Sequence, residues 1–336
     1  MKVHFDPDHP EHPDPSRRTE VYKLPALDSW PETWHRFDAR SVWAVRAALA
    51  ARRPLLVRGE PGLGKSQLAR AAAHILNVPF LCQVINARCE CTDLLYTYDA
   101  VSRLAQAQVM GSASQGADWA DKLTESRFVQ PGILWWTFDW ESARQQAGRF
   151  CRIVREPFRP NGWTPGQGCV VLIDEIDKAD ADLPNGLLES LGNNGFQAQQ
   201  AGCSVALSPD AAPPLVVVTT NEERELPAAF LRRCLVLQMK LPDTEKQQID
   251  FLIERARVHF GDRIKGEKVY REAARQLLKD RKEAQGLGHV RPGPAEYLDL
   301  LRALSELHPE NEDDQLHALA KIRDFALRKN PEEPRL

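Results

Sequence analysis

Eight residues, Gly59-Glu60-Pro61-Gly62-Leu63-Gly64-Lys65-Ser66, fit the pattern G-x-x-x-x-G-K-[ST] in full. Glycines in such a loop let backbone N–H groups turn inward around phosphate oxygens. A helix opening at Lys65 aims the positive end of its dipole at the same anion. Lys65 is placed to reach the β- and γ-phosphates of a nucleoside triphosphate, and Ser66 to ligate Mg²⁺. Gln67 follows directly, so Gly59 to Gln67 are the expected nucleotide contacts. The competing reading is a Gly-rich turn that binds nothing. The flanks argue against it, because an apolar run precedes the loop and a helical period follows it.

Two acidic residues come next in the chemistry. Val170-Val171-Leu172-Ile173 is an apolar run that ends in Asp174-Glu175. A carboxylate at the C-terminal end of a buried parallel strand sits where ligands of α/β sheets collect. Asp174 is expected to hold the Mg²⁺ shell, and Glu175 to orient and deprotonate an attacking water. Alone, the pair reads equally well as a surface acidic turn; the phosphate loop gives it meaning. A second run, Leu215 to Val218, ends in Thr219-Thr220-Asn221. The Asn221 amide is placed either to position the water or to cap the next segment. Phe230-Leu231-Arg232-Arg233-Cys234 sets two arginines between apolar neighbours. An arginine from a neighbouring molecule can stabilise the charge of phosphoryl transfer. A solvated helix end is the plain alternative.

These groups need a scaffold, and the apolar pattern supplies one. Strands are expected at Leu55–Val57, Phe80–Ile85, Cys169–Ile173, Leu215–Val218 and Leu235–Met239. Helices are expected at 34–51, 65–76 and 184–191,. Several short buried strands separated by helices imply an α/β fold with a mostly parallel sheet flanked by helices. Beyond Pro242 the strand signal ends, and amphipathic helices fit 244–259, 267–283, 294–307 and 314–328. A boundary near 241 therefore separates an α/β core over 29–241 from a helical domain over 242–336. Residues 1–28 read as a disordered or extended arm, rich in proline and charge,. The stretch 96–168 is harder to read: a helix over Ala100–Met110, a Gly/Ser-rich segment at 111–116, an aromatic run at 135–140, a strand over Arg149–Val154 and a loop over 157–168.

Composition bounds the rest. The 336 residues are 43% hydrophobic and 27% charged, ordinary for a globular chain with a large and a smaller domain,. A net charge of −3 gives no global basic field, which counts against nucleic acid as the partner,. Seven cysteines without a CxxC pair read as reduced structural thiols; Cys89-Glu90-Cys91 lacks a second ligand pair for a metal,. With no signal peptide and no apolar run of membrane-spanning length, a cytoplasmic location is the default expectation.

The order of elements resembles the AAA+ ATPases: phosphate loop, Asp-Glu strand, Asn-ending strand, arginine pair, helical lid. Asp174-Glu-Ile-Asp-Lys-Ala179 with Leu187-Leu-Glu-Ser-Leu191 is similar to the MoxR branch. So is Phe128-Val-Gln-Pro-Gly-Ile-Leu134, with Gly and Pro exchanged relative to that branch. The resemblance implies Lys65 and Ser66 as Walker A, Asp174 and Glu175 as Walker B, and Asn221 as sensor 1. It implies Arg233 as the arginine finger, with Arg232 second, and Arg291 in Val290-Arg-Pro-Gly-Pro-Ala-Glu296 as sensor 2. It further implies ATP with Mg²⁺, a homo-oligomeric ring, usually a hexamer, and a chaperone-like role on a partner protein. That partner often bears a von Willebrand factor A domain. The insert is placed within 96–168, with 111–116 and 135–140 as candidate client contacts. The alternatives are a nucleic-acid or restriction-type motor, which can use GTP, and a nucleotide-controlled switch in a defence or signalling system. The loop itself reads phosphates, not the base.

Overall fold

The computed structural model describes residues 21–111, 119–150 and 156–327. In chain order the elements begin with β1 (Val21–Leu24), β2 (Thr33–Arg36), α1 (Ala39–Ala51), β3 (Leu55–Arg58), α2 (Lys65–Leu76) and β4 (Phe80–Val84). A middle region follows: α3 (Cys91–Leu95), β5 (Tyr96–Tyr98), α4 (Ala100–Gly111), α5 (Trp119–Lys122), β6 (Val129–Pro131), α6 (Ile133–Phe138) and α7 (Trp140–Phe150). Then come β7 (Val170–Asp174), α8 (Asp182–Asn193), β8 (Gly195–Ala198), β9 (Cys203–Ala206), β10 (Leu215–Thr220), α9 (Ala228–Arg233) and β11 (Leu235–Gln238). Four helices close the described chain: α10 (Glu245–Phe260), α11 (Glu267–Leu287), α12 (Pro294–Leu307) and α13 (Glu312–Ala326). Among the described residues, no helix is long and apolar enough to cross a membrane.

Two compact units emerge. Among the described residues the first comprises 39–57 and 68–237, and the second 21–38, 58–67 and 238–327.

The first unit is built on a parallel five-stranded sheet in the order β11-β3-β10-β7-β4. Leu215 to Val218 of β10 lie opposite Val170 to Ile173 of β7. On the other side of β7, Phe80 pairs with Val170 and Val84 with Asp174. All six residues of β10 are buried, because helices cover both faces of such a sheet,. That is why β7 and β10 read as unbroken apolar runs rather than alternating ones. Both end in polar residues at the same edge, Asp174 on β7 and Thr219-Thr220 on β10.

The aromatic run at 135–140, expected as a client contact, is core instead. Trp135, Trp136 and Trp140 are all nearly inaccessible. Trp136 packs edge-on against Trp140, and Trp140 against Trp163. Burying such large apolar surfaces against one another outweighs leaving them for a partner. Residues 112–116 of the Gly/Ser-rich segment lie outside the described residues. The strand expected over Arg149–Val154 is replaced as far as Phe150 by the end of α7, and 151–154 lie outside the described residues. An unanticipated hairpin, β8 with β9, pairs Gly195 with Ala206.

The second unit contains the β1–β2 ribbon, the phosphate loop and the C-terminal helices. Residues 34–36, expected to be helical, form β2 and pair antiparallel with β1, Trp34 opposite Lys23. The helix starts only at Ala39. The part of the expected N-terminal arm that is described, 21–28, thus holds a paired strand. Helices α10 to α13 share a core that includes Leu252, Ala256, Leu277, Tyr297, Leu300 and Leu319. Each large side chain buried there contributes about 1.5–3 kcal/mol. Thr244 caps α10 by accepting the Gln247 N–H, Pro294 opens α12, and Gly288 closes α11 at φ 70°,.

Two histidines of this unit are held neutral. Burial, then Arg255 and the neighbouring His259, pull His35 down to about 3. Burial, then Arg255, Arg302 and Arg263, pull His259 down to about 4. The unfolded chain takes up both protons near the ordinary value of 6.5. Between that value and the depressed ones the unfolded state binds more protons, so stability is full above it and falls as pH drops through the window. We expect a lower denaturant midpoint at about pH 5 than at about pH 7.5, with a smaller drop in His35→Leu. Equal drops in the two proteins would contradict the assignment to His35.

Candidate functional site

The phosphate loop, 59–64, leaves β3 and enters α2 with three left-handed glycines: Gly59 at φ 144°, Gly62 at 79° and Gly64 at 87°. Space demands glycine as well. A Cβ on Gly59 would lie 2.2 Å from the Met239 carbonyl oxygen, and one on Gly62 2.6 Å from the Ala295 nitrogen. The Lys65 ammonium is buried and donates to the carbonyls of Gly59 at 2.5 Å and Glu60 at 2.9 Å. A buried cation needs such partners, and they hold it against the loop.

More cations gather on this loop within the same unit. Arg255 donates to the Leu63 carbonyl at 2.8 Å, and its burial lowers its pKa. The Glu60 carboxylate takes two guanidinium groups, Arg281 on Oε2 at 2.6 Å and Arg291 on Oε1 at 2.8 Å. Arg281 also donates to the Pro292 carbonyl at 2.6 Å. Arg281 and Arg291 thus share the one loop carboxylate, while Lys65 and Arg255 are held by loop carbonyls. The loop's left-handed glycines and this excess of cations fit a polyphosphate.

The acidic cluster belongs to the first unit and is organised by Thr219. Its hydroxyl donates to Asp174 Oδ1 at 2.5 Å and accepts the Glu175 backbone N–H at 2.9 Å. The chain turns sharply at Glu175, which adopts a left-handed conformation, φ 59° and ψ 48°. For a residue with a Cβ this costs roughly 1–2 kcal/mol, and such strain concentrates at functional sites. The Asn221 amide donates to Glu175 Oε1 at 3.2 Å, and the Lys178 ammonium pairs with Oε2 at 2.7 Å. That hydrogen bond raises the pKa of Lys178. Beneath, the buried Asp177 accepts the backbone N–H groups of Asn221 at 3.4 Å and Glu223 at 2.9 Å. Asp177 thereby fixes the exit of β10 against the exit of β7. Asp174 offers the hard oxygen donors that Mg²⁺ takes.

The structure therefore joins Asp174, Glu175 and Asn221 in one cluster, and Lys65 and Arg291 on another. Arg232 and Arg233 belong to neither. They end α9, where Arg53 donates to the carbonyls of Arg233 at 2.9 Å, Cys234 at 3.3 Å and also Arg232. These contacts satisfy the open end of the helix and leave both arginine side chains exposed,. Thr219, Asp177, Lys178 and Arg281 complete the clusters and were not anticipated. The sequence marks Thr219 only as one of two threonines that end a run of valines.

Residues 54–234 match the family model described as AAA domain, dynein-related subfamily. Among solved structures, the chain is similar to the RuvB Holliday junction branch migration motor of Thermotoga maritima, at 16% identity and a TM-score of 0.42, over 85% of this chain and 68% of that one. A variant of the same RuvB gives 15% identity and a TM-score of 0.44, over 85% of this chain and 69% of that one. A Cytophaga hutchinsonii protein described as a candidate ATPase gives 13% identity and a TM-score of 0.36, over 83% of this chain and 78% of that one. No curated protein matches the chain.

Proposed function

The chain belongs to the AAA domain family, dynein-related subfamily, and from that premise we propose that it binds ATP with Mg²⁺, hydrolyses it, and uses the energy to remodel a partner protein. The observation that carries hydrolysis is Glu175, turned left-handed at the end of β7 with the Asn221 amide on its carboxylate. The amide holds the carboxylate that would take the proton from water.

In this reading Gly59 to Gln67 hold the phosphates, with the Lys65 ammonium on the β- and γ-phosphates. Ser66 and Asp174 hold Mg²⁺, which supplies charge neutralisation on the phosphate oxygens. Glu175 accepts a proton from water as the water oxygen bonds to the γ-phosphorus and the bond to the β-bridging oxygen breaks. Asn221 orients that water. A carboxylate has about four lone-pair sites, so the bonds from Asn221 and Lys178 leave room for it. Arg233, with Arg232 second, acts on the site of the next subunit, and its exposure at the end of α9 suits that role. Arg291 reaches the γ-phosphate from the helical domain that begins at 242.

The assembly follows from the finger: each site is completed by its neighbour, so the contact is head-to-tail and must close into a ring, proposed as a hexamer. The MoxR-like segments at 174–179 and 187–191 support a chaperone-like role, with a von Willebrand factor A domain protein as the proposed client; a cytoplasmic location belongs to the same proposal. Light scattering with Mg-ATP tests the assembly. A multi-subunit mass and a specific turnover rate that rises with protein concentration are expected. A single-chain mass with concentration-independent turnover contradicts it.

A further inference from the structure

Glu60 is a carboxylate inside a loop built for polyanions. Its charge opposes the ligand, so its presence there asks for a reason. Both its oxygens are committed to guanidinium groups from the C-terminal segment of the same unit. The two partners differ. The Arg281 side chain is 12% exposed and is held a second time by the Pro292 carbonyl. The Arg291 side chain is 42% exposed, and Glu60 is its one ion-pair partner among the described residues. Arg281 is therefore the fixed arm and Arg291 the releasable one. Arg281 also ties down the backbone beside Arg291, which keeps the released guanidinium close to the loop. The packing is tight here: a Cβ on Gly293 would lie 3.0 Å from the Pro61 carbonyl oxygen.

We infer that Glu60 is a latch that holds Arg291 on the phosphate loop and competes with the nucleotide's phosphate for it, while Arg281 keeps Glu60 in place. The inference rests on the proposed function, because it takes the phosphate as the rival anion. Its physical basis is the exchange of one acceptor for another: guanidinium binds carboxylate and phosphate in the same planar, forked way. Arg291 moves from the monoanion to the more highly charged phosphate, and Glu60 stays neutralised by Arg281. Glu60 is in this account a positioning residue. It sets how much of the binding energy is spent on freeing Arg291.

The test is the affinity of the full chain for a fluorescent ATP analogue with Mg²⁺. Glu60→Gln removes the competitor and should tighten binding about three- to five-fold, the scale of a part-exposed ion pair. Losing a negative charge would also tighten binding through the general field, so the same substitution is made in Arg291→Gln. There the gain should shrink below about two-fold. Glu60→Asp keeps the charge but withdraws the carboxylate by one methylene; it should tighten binding in the same direction, and it covers the case in which Glu60→Gln fails to fold. Equal tightening with and without Arg291, or weaker binding in folded Glu60→Gln or Glu60→Asp, overturns the latch alone. A folded wild type that binds no nucleotide overturns the latch and the proposed function together.

Discussion

Lys65→Ala is expected to abolish nucleotide binding, lowering affinity by at least ~10²-fold. The ammonium is the buried cation of the phosphate loop, held by the carbonyls of Gly59 and Glu60. Alanine removes the charge that meets the β- and γ-phosphates and leaves two loop carbonyls without their donor. Each lost hydrogen bond costs about 1 kcal/mol of stability. The variant should therefore melt at a somewhat lower temperature yet remain folded. Isothermal titration with Mg-ATP, run beside a melting curve, checks it. Wild-type affinity in the folded variant would mean that Lys65 serves the loop's structure and not its ligand.

Glu175→Gln is expected to separate binding from chemistry. The amide is close in shape to the carboxylate and can still accept the Asn221 bond through its oxygen. It cannot accept a proton from water, so turnover should fall by about 10²–10⁴-fold. Affinity should stay within a few-fold of wild type. Lys178 loses its ionic partner and the hydrogen bond that raises its pKa. That pair is exposed at one side and contributes little to stability, so melting should barely move. Phosphate release together with analogue binding checks both halves. A variant that turns over at the wild-type rate would move the base elsewhere in the cluster.

Much of this was legible from residue order. The phosphate loop carries its own signature, and fully apolar runs such as Val170–Ile173 and Leu215–Val218 announce strands covered on both faces. Asn221 was legible too, as the first residue after such a strand. What failed did so for identifiable reasons. Trp34 falls within the helical period that continues to Ala51, and only its pairing with Lys23 of β1 places it in a strand. The tryptophans of α6 and α7 look like a surface for a partner until they are seen packed edge-on in the core. The strands of the β8–β9 hairpin are four residues each, too short to show a period. Thr219 was missed because its role depends on β7 lying beside β10, a neighbour relation that no local pattern encodes. The pairing of Glu60 with Arg281 spans 221 residues. Local sequence shows which residue types are available; the fold alone shows which of them meet.

Hydrolysis at Glu175 is decided by steady-state phosphate release from Mg-ATP by wild type and Glu175→Gln, each saturated with nucleotide. Sustained release by wild type and near-background release by the variant at equal occupancy are expected. Equal release by the two, or bound ATP that wild type leaves intact in every assembly state, would contradict it.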